Sequence, residues 1–244
     1  MADSPNAGEG LVPFDAGKHA GLGIDRGALH RFLAGHNAFP LTLPEFFPAS
    51  RDYPLVFVRG SDGELGASVI TGLRPNENLF LDGEGEWIDS AYLPACVRGY
   101  PFYAIDASAG PNHERRKVMV NEAALGASGE AFLDADGEPT PAWRAKEKLI
   151  TEYLAAQEVT AAFCARLDEL ELVDPFEAQV MPEQQDSLRL TGMYRVNEQR
   201  LNGLPAKTLR RLMKAGQLSR VYAHLISLEN FAKLLDLSAA ADHS

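Results

Sequence analysis

The chain has 244 residues but only two cysteines, Cys96 and Cys164, and no stretch approaches the ~18 consecutive apolar residues of a membrane span. Two cysteines 68 positions apart, without a CxxC or neighbouring ligands, form neither a disulfide framework nor a metal cluster. They read as two reduced thiols, mostly buried. Positive charge is also scarce: 23 Lys and Arg face 34 Asp and Glu, a net charge of −11. That balance argues against nucleic acid, whose phosphates need a basic footprint, and against a surface that clings to anionic lipid. The opening MADSPNAGEGLVPFDAGKHAGLG has no basic segment followed by an apolar one, so it does not read as a secretory signal. The expected location is cytoplasmic, without membrane insertion.

What is present is the composition of a folded protein, with 45% hydrophobic and 23% charged residues. Residues 1–25 are rich in Gly, Ala, Asp and Pro and read as a disordered tail, as do residues 238–244. No Gly/Ser or Pro-rich linker divides residues 26–237, which read as one domain.

Within that span the hydrophobic period changes. Leu55–Arg59 (LVFVR) and Ala67–Leu73 (ASVITGL), either side of Ser61-Asp62-Gly63-Glu64, have the β-branched content and turn chemistry of a hairpin. Asn78–Asp82 and Glu86–Asp89 around Gly83-Glu84-Gly85 repeat the figure, and Phe102–Asp106 with Lys117–Asn121 form a third pair across a loop holding Pro111, Asn112 and His113. Serial hairpins predict an antiparallel meander, closed as a small barrel or packed as a sandwich. Tyr92–Val97 reads as one helical turn. From Thr140 to Leu172 the period is helical: Leu149, Tyr153, Ala156, Thr160, Phe163, Leu167 and Leu170 share one face, with Thr140-Pro141 as the start and Asp174-Pro175 as the stop. Ala178–Met181 and Leu188–Val196 predict another hairpin around Gln184-Gln185-Asp186. A C-terminal helix pair follows: one runs from Pro205 to a stop at Gly216, the other carries Leu218, Val221, Leu225, Leu228 and Leu235 on one face. The fold class is α+β.

Familiar catalytic motifs occur only in part. His113-Glu114-Arg115-Arg116-Lys117 begins like HExxH but ends in Lys, so the second imidazole for zinc is missing. Asp134-Ala135-Asp136-Gly137-Glu138 resembles the start of a calcium loop, yet Trp143 stands where the bidentate Glu belongs. Gly126-Ala127-Ser128-Gly129 ends before Glu130 instead of completing GxSxG, and Gly21-Leu22-Gly23 lacks the third glycine of a dinucleotide fingerprint. No metal or other cofactor is expected.

Two segments stand out as binding candidates. Between residues 39 and 54, four prolines and four aromatic rings (Phe39, Phe46, Phe47 and Tyr53) make a stiff strap. It either faces a partner or, the favoured reading, closes the core with buried rings. In the last helix, His224 with Ser227 and Asn230 nearby is either a general base or ligand group, or an internally bonded histidine, the latter favoured because no nucleophile or carboxylate pair accompanies it. Tyr222 reads as an amphipathic ring at the core's edge.

The wording of both segments, LTLPEFFPASRDYPLVFV (Leu41–Val58) and YAHLISLEN (Tyr222–Asn230), resembles the bacterial SapC-like proteins. So do Asn78-Leu79-Phe80-Leu81 before Trp87, Tyr92-Leu93-Pro94 leading to Arg98-Gly99-Tyr100-Pro101-Phe102, and Gly216-Gln217-Leu218, a resemblance covering about residues 39 to 235. It brings no established catalytic residues. The family name is tied to bacterial surface layers, while members resemble gene neighbours of outer-membrane receptors and flavin-dependent halogenase-like proteins. The resemblance therefore implies a cytoplasmic, non-catalytic accessory protein for nutrient uptake or for peptide or small-molecule modification, with a protein or peptide partner. The alternatives are an enzyme with a site scattered around His224, Tyr222 and Arg98, and a surface-layer structural protein. The candidate binding residues are Phe46, Phe47, Tyr53, Trp87, Arg98, Tyr222, His224 and Asn230.

Overall fold

The computed structural model of the chain describes residues 10–105, 117–180 and 188–241. The partial HExxH motif (apart from Lys117), the Pro111–His113 loop and the Gln184–Asp186 turn lie outside them. In chain order the first elements are β1 (Leu11–Pro13), α1 (Ala16–His19), β2 (Gly23–Ile24), α2 (Arg26–Ala34), β3 (Ala38–Pro40), α3 (Phe46–Ala49), β4 (Leu55–Arg59) and β5 (Leu65–Ile70). Next come α4 (Ala95–Gly99), β6 (Phe102–Ile105), β7 (Lys117–Asn121), β8 (Leu125–Gly126) and the long α5 (Pro141–Glu169). The chain continues through β9 (Val173–Val180), β10 (Leu188–Val196), α6 (Glu198–Asn202), α7 (Ala206–Lys214), α8 (Gln217–Ser227) and α9 (Asn230–Ala241). The class is α+β with antiparallel sheets, and among the described residues no sheet closes into a barrel.

The contacts divide these residues into two compact units, each built from separate stretches of chain. One holds residues 10–33 and 95–155; the other holds 34–94 and 156–241. A division that the chain crosses repeatedly needs no linker sequence, which is why composition gives no sign of it.

The unit of residues 10–33 and 95–155 contains the sheet β1-β7-β6, with Phe102 opposite Val120 and Val12 opposite Val120 on the other side. Phe102, Val120, Phe132, Trp143 and Ile150 form its core, joined by Phe14 and Ile24. Residues 11–24, placed by composition in a tail, therefore have regular structure. Val12 and Phe14 pack on that core, and Asp15 caps α1 by accepting from the N–H groups of Gly17 and Lys18. The two incomplete glycine motifs meet here. β2 pairs with β8, and a Cβ on Gly23 would lie 2.4 Å from the Glu130 carbonyl oxygen while one on Gly129 would lie 2.5 Å from that of Ile24. These glycines are needed where the two backbones approach closely. Asp134 closes its turn internally, its Oδ1 accepting from the N–H groups of Asp136 and Glu138 at 2.9 Å each. Lys146 Nζ donates to the carbonyls of Arg98 (2.6 Å) and Tyr100 (3.2 Å), capping the end of α4.

The other unit is organised on the five-stranded sheet β3-β5-β4-β10-β9. The β4–β5 hairpin runs in register from Leu55↔Val69 to Arg59↔Leu65, as the alternation predicts. The expected hairpin over Asn78–Asp89 shrinks to a single bridge, Leu81↔Trp87, flanked by turns. The second half of α5 packs its predicted stripe, with Thr160, Phe163 and Leu167 buried. The helix ends at Glu169, before the expected stop: Glu171 adopts a left-handed φ of 52° and the Leu172 N–H folds back to the Leu167 carbonyl. Asp174-Pro175 instead opens β9, where a proline is tolerated because β9 is an edge strand.

At the C-terminus, Gly216 takes the left-handed conformation (φ 68°) that ends α7, as its position predicts. The second helix of the expected pair breaks at Leu228-Glu229 into α8 and α9. The Ala-rich run continues α9 through Ala241, so residues 238–241, assigned to a tail, are helical.

Candidate functional site

The sheet unit brings the two motif segments together. The strap enters through a 3-10 turn whose capping box is closed by the buried Glu45: its Oε2 accepts from the Thr42 N–H (2.9 Å) and hydroxyl (2.6 Å). Its Oε1 accepts from the Tyr92 hydroxyl at 3.1 Å. One residue on from Thr42, the Leu43 N–H donates to Thr160 Oγ1 of α5 at 2.7 Å, and Phe46 sits edge-on to Phe163 at 5.9 Å. Phe39, Phe46 and Tyr53 are buried, so the strap chiefly closes the core, and Phe47 alone of its four rings is exposed.

Tyr53 extends this polar layer. Its hydroxyl donates to the Tyr92 carbonyl at 2.6 Å and accepts from Trp87 Nε1 at 3.1 Å, while its ring packs edge-on to Phe80 at 4.5 Å. Burial pushes the phenol's pKa well above its usual value, so the proton stays on the oxygen.

From the opposite side, α8 and α9 present His224, Ser227 and Asn230 to the strap's exit. Asn230 donates from Nδ2 to the carbonyls of Ser50 (2.9 Å) and Tyr53 (3.0 Å). Ser227 Oγ accepts from the Leu55 N–H at 2.9 Å and donates to the His224 carbonyl at 2.6 Å. His224 is 0% exposed: Nδ1 lies 2.9 Å from the Leu55 carbonyl, and Nε2 lies 3.1 Å from the Val196 N. A carbonyl requires a donor and an N–H an acceptor, so the ring is the neutral tautomer with its proton on Nδ1. Burial is the main cause of a pKa lowered to about 4.

The imidazole also has a topological role. β10 and β4 pair at Met193↔Val58 and Tyr194↔Phe57, and continuing that register would bring Val196 opposite Leu55. The ladder stops before that point, and the ring bridges the Val196 N–H to the Leu55 carbonyl in place of a backbone bond. His224 thus completes a sheet and fastens α8 to it, with Phe57 packed at 4.8 Å.

The expected binding residues therefore separate into three groups. Phe46, Tyr53, Trp87, His224 and Asn230 form one connected clamp, in which the two segments hold each other. Phe47 and Tyr222 stand at the surface, 45% and 40% exposed, with the Arg220 guanidinium 4.4 Å over the Phe47 ring. Arg98 belongs to the other unit, where its carbonyl helps seat Lys146. Glu45, Thr42 and Thr160 do not stand out as site residues in the sequence, and Ser227 stands out only as a neighbour of His224. The pattern Thr-x-x-Glu before the apolar Phe46-Phe47 is a capping-box signature that identifies the first two. The roles of Thr160 and Ser227 depend on partners 117 and 172 residues away, which no local pattern carries. No helix among the described residues is long and apolar enough to cross a membrane.

A family model described as SapC matches residues 14–234, and the chain belongs to that family. No curated protein and no solved structure matches it.

Proposed function

We propose that this SapC family member is a non-catalytic binding or accessory protein, with a protein or peptide partner held on the outer face of the clamp. The observation that carries this reading is the direction of the clamp's groups. His224, Ser227, Asn230 and the Tyr53 hydroxyl all bond backbone or neighbouring side chains, while Phe47, Arg220, Tyr222 and Ile226 are carried outward by α3 and α8. Tyr222 and Ile226 sit one turn apart, on the face of α8 turned away from His224. The setting that fits is cytoplasmic, in support of nutrient uptake or of a flavin-dependent halogenase-like partner.

Thermal-shift screening of the full chain against flavins, peptides, sugars and purified neighbouring gene products tests this. A partner should raise Tm and protect the amides of α3 and α8 from hydrogen exchange. Turnover of a substrate with no partner shifting Tm would overturn the proposal. Recovery of the protein from the cytosolic fraction is expected for the location.

A further inference from the structure

Charge is unevenly distributed along this chain. The nine residues of α7 contain Lys207, Arg210, Arg211 and Lys214 and no acidic residue. Subtracting their +4 from the chain's −11 leaves −15 elsewhere. All four are exposed, and none makes an ion pair among the described residues. On the helix Leu212 faces inward, and Lys207, Arg210 and Lys214 fall on the opposite side at a spacing of three and four. Four like-charge pairs at i,i+3 or i,i+4 result, an arrangement that weakens a helix and that a polyanionic partner would relieve. Large apolar side chains stand in the same helix pair: Met213 is 61% exposed on α7, Ile226 is 66% exposed on α8, and Tyr222 accompanies it.

We infer that α7 and α8 form a docking surface for an acidic, amphipathic segment of a partner protein. This rests on the reading of the chain as a binding protein and adds the partner's chemistry to it. Exposed Arg, Tyr and Met are the side chains enriched where proteins meet, and guanidinium forks match carboxylates in pairs. The −15 carried by the rest of the chain disfavours extended polyanions. A bilayer or duplex reaches beyond the ~8–10 Å over which salt screens charge and meets that repulsion, whereas a short segment is confined to the basic stripe.

The test uses the full chain and fluorescence anisotropy with a labelled 16-residue helical peptide bearing Glu on one face and Leu and Phe on the other. Phosphatidylglycerol vesicles and a 20-base-pair duplex serve as competing probes. Expected is saturable peptide binding that weakens at least tenfold when salt rises from 50 to 300 mM. It should also weaken at least tenfold in Arg210→Glu/Lys214→Glu and several-fold in Ile226→Asn, while Lys148→Glu on α5 leaves it unchanged. Because these positions are exposed, Tm should stay within 2 °C, showing that the variants fold. Absence of peptide binding, equal binding by the charge-reversed variant, or tighter binding to vesicles or duplex would overturn the inference. None of those results requires turnover of a substrate, the finding that would overturn the binding-protein reading itself.

Discussion

Replacing His224 by Phe keeps a ring of similar size beside Phe57 but removes both ring nitrogens. The Leu55 carbonyl and the Val196 N–H, in residues 1% and 2% exposed, then lose their partners. Each buried orphan costs about 1–3 kcal/mol, so the variant should lose about 2–6 kcal/mol at pH 7. A domain's whole stability is about 5–15 kcal/mol, so the loss is easily measured by urea unfolding.

The pH dependence identifies the cause. The folded pKa of His224 is lowered to about 4, against an ordinary 6.5, chiefly by burial. A second proton would also oppose the Val196 N–H. Between those values the unfolded chain binds more protons, so stability is full above about pH 7 and falls as pH drops towards 4. A difference of about 2.5 pKa units corresponds to about 3 kcal/mol over that range. In His224→Phe this part of the slope should vanish, while every other titrating group contributes equally to both proteins. Parallel stability curves for the two proteins between pH 4 and 7, or a loss under about 0.5 kcal/mol at pH 7, would refute the bridging role.

Three further tests address the clamp's hydrogen bonds, its exposed face and a buried thiol of α5. Asn230→Asp, nearly isosteric, puts an acceptor against the carbonyls of Ser50 and Tyr53, so it should destabilise at least as much as Asn230→Ala, by about 2–4 kcal/mol in urea. Tyr92→Phe removes one donor from the buried Glu45 and should cost about 1–3 kcal/mol by thermal melting, whereas Ile226→Asn at the exposed face should cost under about 0.5. Cys164 is buried and its thiol is pushed up to about 12, so an aromatic disulfide reagent at pH 8 should modify it only after unfolding.

Much of the fold could be read from the sequence, because hydrophobic period and turn chemistry are local. The β4–β5 hairpin, the face of α5 and the Gly216 stop all follow from residues within a few positions of each other. The failures have non-local causes. Pro175 marks a stop unless the strand it enters is known to be an edge, and strand order is a property of the whole sheet. The short early elements β1, α1 and β2 have weak intrinsic preference and gain their stability from a core supplied by residues 102–150. The basic stripe on α7 was legible, but a net charge averaged over the chain hid it.

The clamp also changes what the family resemblance means for function. The Leu41–Val58 and Tyr222–Asn230 segments carry the resemblance, and polar side chains of the second bond the backbone of the first at Ser50, Tyr53 and Leu55, across more than 160 residues of sequence. Such groups specify a fold: they hold a strap, a sheet and two helices in register, and they would do so whatever the protein binds. Their hydrogen bonds are accounted for by the fold, so these residues by themselves point to no particular activity. Groups that bind a partner must reach it, and under the proposed binding role those are the side chains that the clamp leaves outside. Phe47, Tyr222 and Ile226 add little to the core they stand on, and the cations of α7 repel one another. Their cost or neutrality in folding makes them the better place to look for function.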